Sequence, residues 1–181
     1  RSIDCLPLSR VKQLLEIGFG NGAHLPYLFA KAPHLHYTGI ERSEAMIADA
    51  TALNTALMEQ GKAVFLHALT EELPPLPYES FEVCFCVNTY YFITNLRAYF
   101  AQVYSLLRQG GSFVLGAIGK EFGERMPFTK EVFTFYTPDC LKELLLSVGF
   151  TAFDLQTFTE EIPTKRGTTI ERPFEVITVR K

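Results

Sequence analysis

The chain reads as a single α/β domain: a mostly parallel, seven-stranded sheet with helices on both faces. Three observations predict this. Short apolar runs alternate with stretches of helical spacing through most of the 181 residues, and such alternation gives a parallel sheet with right-handed crossovers. The first apolar run ends in Glu16-Ile17-Gly18-Phe19-Gly20-Asn21-Gly22, a strand running into a glycine turn. The last two strand-like runs are joined by a short connection around Gly167, so the final pair should be antiparallel.

Each element has a local reason. Val11, Leu14, Leu15 and Ile17 mark a strand over 11–18. A helix is expected over 22–32, with Pro26 in its opening turn, where a missing N–H costs little, and Pro33 at its end. A second strand covers 36–41. Ser43 is placed to cap the next helix, with Glu44 in the first turn, and Gly61 stops that helix after about Gln60. A third strand covers 63–68. Leu73-Pro74-Pro75-Leu76-Pro77 must be a loop. The near-continuous apolar run 81–87 suits a strand buried on both faces. Leu96, Phe100, Val103, Leu106 and Leu107 have helical spacing, and Gly110-Gly111 should end that helix and open a strand over 112–118. Residues 119–136 are irregular, mixing charges with Phe122, Phe128, Phe133, Phe135 and Tyr136. Thr137 and Pro138 open a helix that reaches Val148 and stops at Gly149. Strands over 151–159 and 174–180 close the chain. No internal repeat or linker is visible, so 1–181 is expected to be one domain.

Composition narrows the function. Hydrophobic residues make up 48% of the chain, and the net charge is −3. The basic residues are dispersed, and a nucleic-acid binder usually shows a basic stripe. Lys165-Arg166, Glu71-Glu72 and Glu160-Glu161 read as solvated turns and faces. No apolar run approaches the roughly 20 residues of a membrane span. No signal peptide is visible, and a first residue that is Arg1 rather than Met leaves a preceding segment open. Cys84 and Cys86 share one face of an apolar strand and read as core residues; His34 and His36 read as a surface turn. With no clustered ligand spacing, no metal site is expected, and free thiols suit a reducing cytoplasm.

Glycines at 18, 20 and 22 let a ligand approach the backbone, and the following helix start offers unpaired N–H groups. Ligands of open α/β sheets bind at such places. Gly18-x-Gly20-x-x-Ala23 with Glu41 downstream fits a dinucleotide turn. The absence of Gly-Lys-Ser/Thr excludes a P-loop. A wider set of motifs points elsewhere. Glu16-x-Gly18-x-Gly20-x-Gly22, Gly39-Ile40-Glu41-Arg42-Ser43-x-x-Met46, Leu73-Pro74 with the run Phe81 to Asn88, Leu106 to Leu115, and Thr137-Pro138 with Val148-Gly149-Phe150 stand in order over about 11–180. Together they resemble the class I S-adenosylmethionine-dependent methyltransferases.

The resemblance implies a Rossmann-like fold, S-adenosylmethionine as cofactor, S-adenosylhomocysteine as product, and a small-molecule methyl acceptor. Glu41 would accept both ribose hydroxyl hydrogens. Gly18, Gly20 and Gly22 would let the methionine end lie on the backbone, bordered by Phe19 and Asn21. Glu16 would either hold the turn in shape or face the cofactor ammonium through water. Arg42 and Met46 would flank the adenine. Relatives often carry an acid after the third strand; here His67 stands there, and the backbone of Ala68 and Leu69 would serve the adenine instead. Asn88 and Thr89 would lie near the sulfonium.

Methyl transfer by in-line displacement depends chiefly on alignment, and no residue declares itself as a general base. Tyr90 and Tyr91 either shape the acceptor pocket or pack. Val87-Asn88-Thr89-Tyr90-Tyr91 lacks the prolines of base-methylating relatives, which argues against nucleic acid as the acceptor. Residues 119–136 are the candidate acceptor lid, equally readable as a satellite hydrophobic cluster. Two alternatives stay open: a non-catalytic cofactor-binding or regulatory protein of the same fold, and an NAD(P)-dependent oxidoreductase.

Overall fold

A computed structural model describes residues 1–69, 72–129, 132–163 and 169–181. Its centre is a seven-stranded sheet of β1 (Gln13–Ile17), β2 (His36–Glu41), β3 (Ala63–His67), β4 (Phe81–Val87), β5 (Leu107–Ile118), β6 (Thr151–Pro163) and β7 (Thr169–Arg180). The spatial order is β3-β2-β1-β4-β5-β7-β6. Strands β1 to β5 pair in parallel, and β7 runs antiparallel to both β5 and β6. Successive residues of β1 and β4 are buried, so both sheet faces are covered. The helices are α1 (Leu25–Lys31), α2 (Glu44–Leu53), α3 (Thr55–Glu59), α4 (Leu96–Leu106), α5 (Lys120–Arg125) and α6 (Pro138–Val148).

The expected caps are present. The Ser43 hydroxyl accepts the N–H of Met46, and the Thr137 hydroxyl accepts that of Cys140. Gly149 ends α6 in the left-handed region at φ 116°. Cys84 and Cys86 are buried in β4.

Four expectations change. The first helix begins at Leu25 rather than residue 22, because residues 19–25 form successive turns: Gly22 donates to the Phe19 carbonyl and Leu25 to that of Gly22. The long second helix breaks at Asn54 into α2 and α3. The buried Asn54 amide donates to the carbonyls of Ala50, at 2.9 Å, and Gly22, at 3.1 Å, which ties the break to the glycine turn. Gly110-Gly111 do not separate α4 from the next strand. The chain passes directly into β5 at Leu107, and Gly110 and Gly111 instead bond to Lys181 beyond β7. The final hairpin is longer at both inner ends than its apolar pattern suggests. Its tip, with Lys165, Arg166 and Gly167, lies outside the described residues, as do Thr70, Glu71 and the side chain of Phe128.

The chain leaves β1 outward to β2 and β3, then returns to β4 on the other side of β1. The carboxyl ends of β1 and β4 therefore flank the topological switch point, where sheets of this kind bind ligands.

Candidate functional site

Three glycines turn the chain after β1, with different surroundings. A Cβ on Gly18 would come within 2.5 Å of Thr89 Oγ1, so β1 and the segment after β4 approach closely there. A Cβ on Gly22 would meet Ala50 Cβ and Asn54 Nδ2, each at 3.0 Å. Gly20, at φ +61°, has no atom within 4 Å of that position among the described residues beyond its own chain neighbours. The bare backbone at Gly20 thus faces open space, as a ligand cradle requires.

Glu41 closes the turn from the end of β2. It is only 8% exposed. Its Oε2 accepts the Gly20 N–H at 3.0 Å, and Oε1 accepts those of Arg42 at 2.8 Å and Ser43 at 3.0 Å. Two carboxylate oxygens offer about four acceptor sites, so these three bonds leave capacity for a further donor.

Glu16, 3% exposed, sits in β1 just before the turn. Desolvation would be costly without partners, and it has two. Tyr37 donates its hydroxyl to Oε2 at 2.6 Å, and His24 Nε2 lies 2.7 Å from the same oxygen. Burial works against a charged imidazole at His24, but the hydrogen bond and charge of Glu16 outweigh it and raise the pKa. Burial, with the Glu16 charge, pushes the Tyr37 hydroxyl well above its ordinary value, so it remains a donor.

Two cavities open on this edge. The larger, about 390 Å³, runs from Glu16, Gly18, Phe19, Gly20 and His24 to Glu160, Arg172 and Phe174. The smaller, about 160 Å³, lies between Glu41, Arg42, Thr89 and Phe92. Gly18, Val87 and Asn88 line both, so Asn88 stands where they meet. The larger falls in the roughly 300–1,000 Å³ range of small-molecule sites.

Asn88 holds a left-handed backbone at φ 55°, a conformation that Asn tolerates better than most residues and that recurs at functional sites. Its Oδ1 accepts the Tyr91 hydroxyl at 3.0 Å, and Tyr91 Oη accepts the Ile118 N–H at 2.6 Å. Burial drives the Tyr91 pKa upward, which keeps the phenol protonated.

At the far wall of the larger cavity, Arg172 Nε and Nη2 both donate to Glu160 Oε2, at 3.2 and 2.6 Å. The two residues face each other across β6 and β7. Glu160 is therefore a half-buried cavity residue, not the solvated one its sequence context suggests. The signal for it is a cross-strand pair of opposite charge on the face shared by Phe158 and Phe174. Reading that pair required the hairpin register, which strands over 151–159 and 174–180 do not supply. His24 was equally unmarked: it lies beyond the turn, and only the fold returns it to Glu16.

The other expected residues are spread more widely. Phe19 is buried, stacks on Phe65 at 4.8 Å and lines the larger cavity. Arg42 is exposed at the smaller cavity, and its carbonyl lies 3.0 Å from His67 Nε2. Gly22, Met46, Ala68 and Leu69 line neither cavity. Met46 and Leu69 are exposed, and the Ala68 N–H donates to the Glu41 carbonyl. Phe133 and Phe135 of the 119–136 segment pack on the Tyr90–Phe92 turn, with the rings of Tyr91 and Phe133 stacked nearly parallel at 3°. Among the described residues, no group of three His, Cys, Asp or Glu side chains could hold a metal. No helix among them is long and apolar enough to cross a membrane.

Comparison with known proteins places this edge in context. An uncharacterized methyltransferase of Bacillus subtilis, YdaC, is 30% identical over 110 residues, covering 61% of this chain and 58% of that protein. The chain thus spans a little over half the length of this curated relative. A putative methyltransferase from Bacillus halodurans shares the fold at a TM-score of 0.79 and 14% identity, over 99% of this chain and 96% of that one. So does a Haemonchus contortus phosphoethanolamine N-methyltransferase solved in complex with S-adenosyl-L-methionine, at a TM-score of 0.74 and 14% identity, over 97% of this chain and 50% of that one. The family model for the methyltransferase domain matches residues 15–115, from the strand before the glycine turn through most of β5, and the chain belongs to that family.

Proposed function

We propose that this protein transfers a methyl group from S-adenosylmethionine to a small-molecule acceptor by in-line displacement. The observation that carries the reading is the pairing of an open backbone at Gly20 with the Glu41 carboxylate, on an edge where two cavities share Gly18, Val87 and Asn88. The residues fit the cofactor. A Cβ at Gly20 would fill the space that the reading gives to the ligand. Glu41 retains acceptor capacity beside the smaller cavity for a ribose hydroxyl. Glu16, at the larger cavity, supplies negative charge toward an ammonium.

S-adenosylmethionine supplies a methyl group made electrophilic by positive sulfur. The chain's part is orientation. Gly18, Gly20, Phe19 and Glu16 hold the aminoacyl end, with Gly22 setting the turn against α2. Glu41 holds the sugar. Arg42 and Met46, with the backbone of Ala68 and Leu69, border the adenine. Asn88, where the cavities meet, stands at the reacting methyl. The larger cavity continues to Arg172, Glu160 and Phe174, and this extension receives the acceptor. In this reading the 119–136 segment serves the acceptor side by bracing the Tyr90–Phe92 turn. The dispersed charge supports a small acceptor over a nucleic acid, and the free thiols support a reducing cytoplasm as the setting.

Calorimetric titration with S-adenosylhomocysteine and with NAD tests the reading. Binding of the first and not the second is expected. Binding of NAD alone overturns it in favour of an oxidoreductase.

A further inference from the structure

The hydrogen-bond chain behind Asn88 bears on what the acceptor can be. Tyr91 has one hydroxyl proton. Its oxygen already accepts the Ile118 N–H, and its proton goes to Asn88 Oδ1. This fixes the carboxamide: Oδ1 is turned to Tyr91, and the group left for the cavity is Nδ2, a donor. Asn88 is exposed and lines both cavities. A donor where the cavities meet binds a lone pair. A neutral amine has only one, which it needs for attack. An oxygen anion has three, so it can accept from Asn88 and still attack.

The carboxylates agree. An ammonium or an alcohol must lose a proton before or during attack. Among the described residues, three carboxylates line the cavities: Glu16, Glu41 and Glu160. Each carboxylate already accepts from the chain: Glu16 from Tyr37 with His24 beside it, Glu41 from three backbone N–H groups, and Glu160 from Arg172. The imidazole of His24, which lines the larger cavity, is held at Nε2 by Glu16, which favours its charged form. An acceptor that arrives ionised needs no base. The Arg172 guanidinium, paired with Glu160, lines the larger cavity with Asn88.

Resting on the function proposed above, the geometry points to an ionised oxygen, a carboxylate or a phenolate, as the methyl acceptor, with Asn88 Nδ2 as its hydrogen-bond donor and Tyr91 as the residue that positions Asn88. The oxygen lone pair forms the new O–CH3 bond. The C–S bond breaks with its electron pair going to sulfur, which becomes a neutral thioether. No proton moves.

Three probes of similar size test this on the S-adenosylhomocysteine complex: benzoate, ionised 4-nitrophenol and benzylamine. Binding is followed through the Asn88 side-chain amide resonances, and transfer through labelled S-adenosylmethionine. At least one of the two anions should shift the Asn88 resonances or accept the methyl, and benzylamine should do neither. Asn88→Asp keeps the bond from Tyr91 and tolerates the left-handed backbone, but faces the anion with charge. It should lower the response to the anion about 100-fold with the melting temperature nearly unchanged. Tyr91→Phe should lower it about 10- to 100-fold and broaden the Asn88 amide signal. A preference for benzylamine overturns the inference, as does silence toward all three while S-adenosylhomocysteine binds. Failure of S-adenosylhomocysteine to bind the native chain overturns the proposed function itself.

Discussion

Glu41 Oε2 accepts the backbone N–H of Gly20 at 3.0 Å. The bond joins the end of β2 to the turn after β1, so the carboxylate offered to a ribose also shapes the backbone offered to the rest of the ligand. The same side chain receives Arg42 and Ser43 through its other oxygen, which ties it to the cap of α2. Binding chemistry and local stability therefore meet in one residue.

Replacing Glu41 should lower both. Glu41→Ala removes the acceptor of three backbone N–H groups, and each left unmet in a part-buried place is costly. Unfolding free energy should fall by about 1–3 kcal/mol, and the affinity for S-adenosylhomocysteine should weaken by a similar amount. Glu41→Gln keeps the size but turns one acceptor oxygen into an N–H2 that faces N–H donors. Calorimetric titration alongside denaturant unfolding reads both. Unchanged affinity in a folded Glu41→Ala variant would remove Glu41 from the binding site.

Gly20→Ala and Gly22→Ala should fail differently. Both place a side chain in the left-handed region, which costs roughly 1–2 kcal/mol. At Gly20 the new methyl meets nothing within 4 Å among the described residues beyond its chain neighbours, whereas at Gly22 it presses on Ala50 and Asn54. Gly22→Ala should therefore be the less stable protein. Gly20→Ala should be the one whose loss of S-adenosylhomocysteine affinity exceeds its loss of stability. Thermal unfolding with and without ligand gives both quantities. Equal losses at the two positions would mean that the space beside Gly20 is not where the ligand lies.

Much of this was legible from local chemistry. The succession of strands and helices follows from alternation, the antiparallel final pair from its short connection, and the glycine turn with Glu41 from its spacing. Ser43, Thr137 and Gly149 cap as their residue types dictate. What stayed hidden depends on long-range register. Glu160 and Arg172 are 12 residues apart and meet only when the hairpin is paired. His24 reaches Glu16 only when the turn folds back on β1. Asn54 looks like an ordinary polar residue within a helical pattern, and its buried bond to Gly22 overrides the helix.

Asn54 gives a third test. Its amide spans the α2–α3 break and the glycine turn. Asn54→Ala should allow a straighter helix yet leave the Gly22 carbonyl with Leu25 as its remaining donor, costing about 1 kcal/mol. The turn should loosen with it, so the amide hydrogens of residues 20–23 should exchange faster while those of β4 and β5 stay protected. Uniform loss of protection across the sheet would mean that Asn54 acts on global stability alone.

The Glu16–His24 pair makes stability depend on pH with a defined sign. Burial disfavours the charged imidazole, but the hydrogen bond and charge of Glu16 prevail, so the folded pKa of His24 lies above its ordinary 6.5. Folding therefore takes up protons between the unfolded and the folded values. The pair's contribution is fully present below about 6.5 and declines as pH rises through the folded pKa, where the imidazole becomes neutral while Tyr37 still donates to Glu16. His24→Gln removes the titrating group. The stability difference between native protein and variant should be greatest on the acid side of this window and shrink above it. An NMR titration of His24 locates the folded midpoint directly. A midpoint below 6.5 would mean that desolvation outweighs Glu16, and the pH-dependent difference should then reverse in sign.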